Sequence, residues 1–142
     1  MTHLKPLRQI VQGALLATLL IASQLYAAPL PLAARGEIEG LLSRLGASGC
    51  QFKRNSSWHT AGEAQAHLRR KLDYLVDKDA VGSTEQFIER AATKSSMSGK
   101  PYQVQCGNEA PVPSSQWLRT ELKVLRARAG IKPPLEYKAI AR

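Results

Sequence analysis

Apolar residues recur at helical spacing in four stretches of the chain. Ile38, Leu41, Leu42 and Leu45 follow the i, i+3, i+4, i+7 order that places side chains on one face of a helix. The same spacing returns three times, with inward faces formed by Ala64, Leu68, Leu72 and Leu75, then by Phe87, Ile88, Ala91 and Ala92, then by Leu118, Leu122 and Leu125. The pattern predicts four amphipathic helices that share one core.

Residues with strong positional preferences mark the ends of these helices. Thr60 and Glu63 have the spacing of a capping box, which predicts the start of the second helix. The remaining predicted ends are Gly46 or Gly49 after the first helix, Ser83 or Thr84 before the third, Ser114 or Ser115 before the fourth, and Gly130 after it.

Two short segments alternate with period two instead. Residues 50–54 and residues 102–106 each place apolar side chains on one face and Gln or Lys on the other. An antiparallel pairing that sets Cys50 opposite Cys106 also sets Phe52 opposite Val104 and Arg54 opposite Tyr102. A slip of one residue would destroy this agreement, so the register is well specified. Residues 55–57 form the turn that follows the first strand.

The expected fold is therefore mainly α, of the α+β class, with about four helices packed on a short two-stranded antiparallel ribbon. The chain has two cysteines, Cys50 and Cys106. A bond between them closes a loop of about 57 residues and stabilises the fold by roughly 4 kcal/mol in the chain-entropy model. The alternative is a pair of buried free thiols.

The first 27 residues have the order of a Sec-type signal peptide. Lys5 and Arg8 provide the positive start, an apolar run covers residues 14–22, and Leu25-Tyr26-Ala27 ends on a small residue. We expect cleavage after Ala27 and export through the Sec route, with no membrane span in the mature protein. Export also places the cysteines where disulfides persist.

The mature chain divides into a compact domain at residues 28–130 and a loose basic tail at residues 131–142. The full sequence has 20 Lys and Arg against 11 Asp and Glu, a formal net charge of +9. Seven basic and two acidic residues lie between Arg119 and Arg142. This excess favours an anionic envelope component or acidic protein as partner, whereas the alternative is a basic surface that serves only solubility. We expect no nucleic-acid partner.

Several segments in fixed order carry a family resemblance. They are residues 50–59, Ala64 with residues 67–69, residues 85–88, residues 95–102, Cys106-Gly107 and Trp117-Leu118. Over residues 35–126 the chain resembles the bacterial domain-of-unknown-function family 5329, the YfeK-like periplasmic proteins. The resemblance implies a Gram-negative periplasmic location and no assigned activity. One departure is Ser56, where such proteins are expected to have glycine after Arg-Asn.

Motifs for a cofactor, a metal or a catalytic nucleophile are incomplete. Lys94 stands where a phosphate-binding loop needs glycine, and Met97 stands where a Ser-x-x-Lys pair needs serine. His59, Glu63 and His67 are spaced four apart and could share zinc on a continuous helix. Because Thr60 caps that helix, His59 falls outside it. We expect no cofactor and no metal, with His67 half-packed and His59 in the turn.

The predicted register brings two distinctive turns to one end of the ribbon. Residues there form a candidate binding patch for an anion or a peptide, composed of Arg54, Asn55, Trp58, His59, Ser98 and Lys100. The alternative is that the Asn and Ser side chains only satisfy backbone groups in tight turns. The first functional hypothesis is a non-enzymatic binding or interaction protein of the bacterial envelope. The second is a small envelope-acting hydrolase that uses His59 or His67 as base.

Overall fold

The computed structural model describes residues 29–130 of the chain. The predicted signal peptide (residues 1–27) and the predicted basic tail (residues 131–142) lie outside the described residues, and both remain predictions. Within the described part, no helix is long and apolar enough to cross a membrane.

The four predicted helices are confirmed. They are α1 (Leu32–Gly46), α2 (Ala61–Asp77), α3 (Thr84–Ala92) and α4 (Ser114–Arg128). The apolar positions that predicted them form the core: Ile38, Leu41, Leu42 and Leu45 of α1 are fully buried, as are Phe87 and Ile88 of α3. Each helix buries the face that its 3.6-residue period marks, so removal of that face from water drives the packing.

The sheet has four short strands, not the two that the sequence predicted. They are β1 (Gln51–Arg54), β2 (Ser57–Thr60), β3 (Gln103–Gln105) and β4 (Val112–Pro113), in the order β2-β1-β3-β4 with all neighbours antiparallel. β2 was missed because its only large apolar side chain, Trp58, is 38% exposed, so the strand carries no buried face for the pattern to reveal. β4 has two residues, too few for an alternating pattern to reveal.

The predicted register of the two central strands is confirmed. Phe52 of β1 pairs with Val104 of β3, and both side chains are buried. One step past the last paired residues, Cys50 and Cys106 form the disulfide with their Cα atoms 4.3 Å apart. The covalent link and the alternation of side chains therefore specify the same pairing.

The predicted cap of α2 is also confirmed, whereas the predicted cap of α4 is wrong. The Thr60 hydroxyl accepts from the Glu63 backbone N–H, and the Glu63 carboxylate accepts from the Thr60 N–H, which completes the capping box. At α4, Pro113 is the N-cap residue and no side chain caps the helix. Ser114 instead lies inside the first turn, where its N–H donates to the Tyr102 carbonyl over 3.0 Å.

An ion cluster ties three helices together on one side of the core. Arg126 of α4 donates to both Oε atoms of Glu37 in α1, at 2.7 and 2.8 Å, and to Glu85 in α3 at 2.7 Å. The Thr84 hydroxyl donates to Glu37 as well, over 2.6 Å. These bonds hold the pKa of Glu37 below its usual value, chiefly through Arg126, although burial opposes them.

Candidate functional site: the hairpin cleft

A cleft of about 300 Å³ lies between the β1–β2 hairpin and helix α2, and we call it the hairpin cleft. Its walls come from the inward face of the hairpin and from one side of α2, with Tyr102 and the start of α4 at one end. The lining residues are Phe52, Lys53, Arg54, His59, Glu63, Ala64, Ala66, His67, Leu68, Arg70, Tyr102 and Ser114. Apolar and cationic groups therefore share one concave surface.

The hairpin turn that closes one end of this region is tight. Asn55 has φ 53° and Ser56 has φ 85°, so two consecutive residues take positive φ, as a two-residue type I′ turn requires. Asparagine tolerates this conformation and serine does so poorly, which explains why glycine is expected at position 56 in similar proteins.

Contacts from the segment before β3 hold this turn in place. The Ser98 hydroxyl donates to Oδ1 of Asn55 over 2.6 Å, and Nζ of Lys100 lies 3.3 Å from Oγ of Ser56. The two turns that the sequence analysis placed at one end of the ribbon are thus in direct contact. Asn55, Ser98 and Lys100 of the candidate patch meet there, together with Ser56.

The other three patch residues lie apart from that contact. Arg54 and His59 belong to the inward face of the hairpin and line the cleft. Trp58 pairs with Lys53 on the outward face, where Nζ of Lys53 lies 5.6 Å from the centre of the indole ring. The six residues therefore surround one end of the hairpin on both of its faces, and their role in binding remains a prediction.

His67 connects the hairpin to β3 through both nitrogens of its ring. Nη1 of Arg54 lies 2.8 Å from Nδ1, and the Tyr102 hydroxyl oxygen lies 3.2 Å from Nε2. A guanidinium can only donate, so Nδ1 must accept and the proton of the neutral ring sits on Nε2. From Nε2 the ring donates to Tyr102, and the imidazole is fixed in one tautomer.

This environment keeps His67 neutral. Burial is the main cause that lowers its pKa to about 4, and the positive charges of Arg54, Lys71, Arg70 and His59 lower it further. A ring with so low a pKa and with both nitrogens engaged is a weak general base near neutral pH. The arrangement instead makes His67 a fixed acceptor that orients Arg54.

The cations around His67 have few anionic partners. Within residues 29–130, neither Arg54, Arg70 nor Lys71 has a carboxylate within salt-bridge distance. Nζ of Lys71 lies 5.3 Å above the Tyr102 ring and 3.4 Å from the Lys94 carbonyl. Burial and the nearby Arg54 lower the pKa of Lys71.

Glu63 is the one acid in the cleft lining, and its carboxylate is already engaged. Oε2 accepts from the backbone N–H of Thr60 over 2.8 Å and lies 3.0 Å from the Thr60 hydroxyl. These bonds lower the pKa of Glu63 more than its weak attraction to His59 and Arg54 does. The carboxylate therefore serves the helix cap first and offsets only part of the positive charge.

The predicted spacing for zinc does not produce a shared helical face. His59 lies in β2 rather than in a turn, Glu63 caps α2, and His67 bonds to Arg54 and Tyr102. In the part of the chain that the structure describes, no group of three His, Cys, Asp or Glu side chains could hold a metal ion. Cys50 and Cys106 are bonded to each other, so neither is a thiolate nucleophile.

Sequence reasoning missed the contact between Arg54 and His67. The two residues are 13 positions apart and belong to different elements, so no local period links them. One signal was present: a hairpin across residues 55–56 would have aimed Arg54 at the following helix. The Asn-Ser turn hid that hairpin because it lacks the glycine that marks type I′ turns.

Comparison with known proteins gives two matches and one negative result. The uncharacterized protein YfeK of Salmonella typhimurium (strain LT2) is 43% identical over 51 residues, which is 36% of this chain and 41% of that protein. The aligned part thus spans less than half of that relative's length. No solved structure matches the chain with significance. The model of a family of unknown function, DUF5329, matches residues 32–126, from the start of α1 into α4. Because this match covers most of the sequence and nearly all of the described fold, the chain belongs to the DUF5329 family.

Proposed function

We propose that the protein is an exported, non-enzymatic binding protein of the bacterial envelope, and that the hairpin cleft is its ligand site. Arg54 and His59 of the candidate patch line this cleft. Asn55, Ser98 and Lys100 meet at the hairpin turn, and Trp58 lies on the outward face of the hairpin. The disulfide and the amino-terminal sequence support an oxidising compartment as the place of work.

One observation carries the proposal. Arg54, which is partly buried, and Arg70, which is exposed, line a concave, partly apolar surface and have no carboxylate within salt-bridge distance among residues 29–130. Proteins usually pair partly buried charges, because an unpaired charge loses hydration without compensation. An uncompensated group in a cleft is well placed to interact with a ligand, and a concave surface with a few convergent polar groups is typical of small-molecule sites.

The alternative, an envelope hydrolase, has less support at this site. His67 engages both ring nitrogens and has a pKa of about 4, so it has no free lone pair for a substrate or a water. His59 lines the cleft, but the one acid of the lining, Glu63, is engaged in the cap of α2. Binding needs none of these groups to exchange protons.

Site-specific photocrosslinking in the periplasm tests the proposal. Ala66 is exposed at the edge of the cleft, and Tyr74 is 62% exposed further along the same helix. A photoreactive p-benzoylphenylalanine at position 66 should capture an envelope component, and the same residue at position 74 should not. Adding His59→Ala and Lys100→Ala to the position-66 protein should weaken the capture.

Two results would contradict the proposal. Equal capture from positions 66 and 74 would show that the contact is non-specific. A full-length species in the cytosol, with no processed form that begins at Ala28 in the periplasmic fraction, would remove the envelope location.

A further inference from the structure

We infer that the hairpin cleft takes a small amphipathic organic anion, whose carboxylate or phosphate lies on Arg54 and whose apolar part lies on Phe52 and Leu68. This inference rests on the proposed function and specifies the chemistry of its ligand.

The charged end of the ligand follows from the geometry of Arg54. One guanidinium nitrogen is fixed by Nδ1 of His67 at 2.8 Å, which leaves the other donors of the planar fork for a second acceptor. A planar fork matches a carboxylate or a phosphate through two parallel hydrogen bonds. His67 is held in turn by Tyr102, so the guanidinium is oriented before a ligand arrives. Arg70 adds a second positive charge at the same surface.

Arg54 differs in its partner from the other half-buried arginines of the fold. Arg44 is paired with Glu121, Arg69 with Glu39, and Arg126 with Glu37 and Glu85. Arg54 has only a neutral imidazole as its partner. Among the half-buried arginines of residues 29–130, Arg54 is thus the one without a carboxylate partner.

The apolar end follows from the floor of the cleft. Phe52 is 6% exposed and Leu68 is 4% exposed, and both contribute to the lining beside Ala64. Because these side chains are already nearly buried, the apolar area left for a ligand to cover is small and is extended by the exposed Ala66. A short alkyl or aryl portion covers this remaining area and gains the free energy of its burial. The cavity of about 300 Å³ is at the lower end of the size range of ligand sites, which limits the ligand to a small molecule.

A matched set of six-carbon probes tests the inference on the full mature protein. Hexanoate and hexyl phosphate carry the two candidate head groups, 1-hexanol removes the charge, hexylammonium reverses it, and acetate removes the chain. Binding is followed by NMR of the ¹⁵N-labelled His67 ring. Hexanoate or hexyl phosphate should bind at least about tenfold more tightly than hexanol, as a charge-assisted hydrogen bond predicts. Hexylammonium should not bind, and acetate should bind more weakly than hexanoate.

Two variants locate the site. Arg54→Gln should weaken hexanoate binding by about tenfold or more, whereas Arg119→Gln removes an exposed charge on α4 and should leave it unchanged. If Arg54→Gln does not fold, the wild-type protein still answers the question. A bound anion offsets the charge of Arg54, so hexanoate should raise the pKa of His67 above about 4.

The outcomes separate this inference from the proposed function. Hexanol that binds as tightly as hexanoate, or a panel in which no anion binds, would overturn the inference. Capture from position 66 would still support a ligand site in either case. Loss of that capture would overturn the proposed function itself, whichever probes bind.

Discussion

Two arginines in this protein are similarly enclosed and differ in their partners. The side chain of Arg126 is 19% exposed and lies between Glu37 and Glu85, which raise its pKa. Arg54 is also partly buried, and it donates to the neutral ring of His67. At the first site the single positive charge lies between two carboxylates. At the second, the positive charges of Arg54, Lys71 and Arg70 act together on His67 and lower its pKa to about 4.

This contrast separates a charge that stabilises the fold from a charge that is available to a ligand. The Arg126 cluster links three helices that are distant in sequence, so its loss should cost stability. The Arg54 cluster does not stabilise the fold electrostatically, because its members repel one another. An electrostatic arrangement that does not stabilise the free protein is often explained by a function that uses it.

Loss of the disulfide should have the largest effect, because it should lower the stability of the fold and weaken binding in the hairpin cleft. The bond joins positions 56 apart and anchors β1, the strand that carries Arg54, to β3. A Cys50→Ser, Cys106→Ser double variant should lose roughly 4 kcal/mol of unfolding free energy and should bind hexanoate less well. Urea denaturation under oxidising conditions measures the first quantity. A reduced wild-type protein as stable as the oxidised one would contradict this prediction.

Removal of each arginine in turn tests whether Arg126 stabilises the fold more than Arg54 does. Arg126→Gln leaves Glu37 poorly paired at 15% side-chain exposure and should cost about 2 kcal/mol. Arg54→Gln should change stability by no more than about 0.5 kcal/mol, because it removes repulsion as well as one hydrogen bond. Denaturant unfolding of both variants at the same pH gives the comparison. Equal losses would mean that Arg54 is a structural residue.

The pH dependence of stability should report the neutral state of His67. Its pKa is about 4 in the folded protein, and the reference value is 6.5. As the pH falls below 6.5 the unfolded chain takes up the proton first, so the folded state loses stability until the pH passes about 4. After allowance for partial solvent exposure, the loss should be about 1–2 kcal/mol.

His67→Gln provides the control for the loss of stability between pH 6.5 and about 4. Glutamine keeps one acceptor for Arg54 and one donor for Tyr102, and it does not titrate. Glu63 and Glu37 also have lowered pKa values, so they lose their stabilising effect as the pH falls, but only below about 4.5. The wild type and His67→Gln should therefore differ in slope between pH 6.5 and 4. Parallel curves over that range would refute the assignment.

The smallest effect concerns the turn beside the cleft. Ser56 has φ 85°, which strains any residue with a Cβ atom. Ser56→Gly should stabilise the protein by about 0.5 kcal/mol, because relief of strain exceeds the added freedom of glycine in the unfolded chain and the lost contact to Lys100. Gly49→Ala, which adds a Cβ at φ +67°, should have the opposite sign. Thermal unfolding measures both.

The sequence predicted the helices and the central strand pair because their signals are local or covalent. Ile38 to Leu45 repeat at helical spacing, and Cys50 and Cys106 specify one register for alternating strands. The sequence did not predict β2, because Trp58 and its neighbours face solvent or a cleft and form no apolar stripe. The cap of α4 was misjudged because Pro113 already has a suitable backbone conformation, so Ser114 is free to pack inside.

The candidate site was predicted in part. The contact between the two turns follows directly from the register, and Asn55 meets Ser98 as that register requires. The tie between Arg54 and His67 depends on how α2 packs under the hairpin, which is a tertiary property with no sequence period. The lowered pKa of His67 has the same origin, because burial and three neighbouring cations act only after folding.

The protonation state of His67 in the free protein decides whether Arg54 donates to a neutral ring and keeps an uncompensated charge. A ¹⁵N NMR titration of the ring should give a pKa of about 4, with Nε2 protonated and Nδ1 unprotonated at neutral pH. Burial of the ring and donation from Arg54 to Nδ1, with no anion between them, predict both values. A proton on Nδ1 at neutral pH would show that Arg54 does not donate to it, and a pKa near 6.5 would contradict a ring surrounded by uncompensated positive charge.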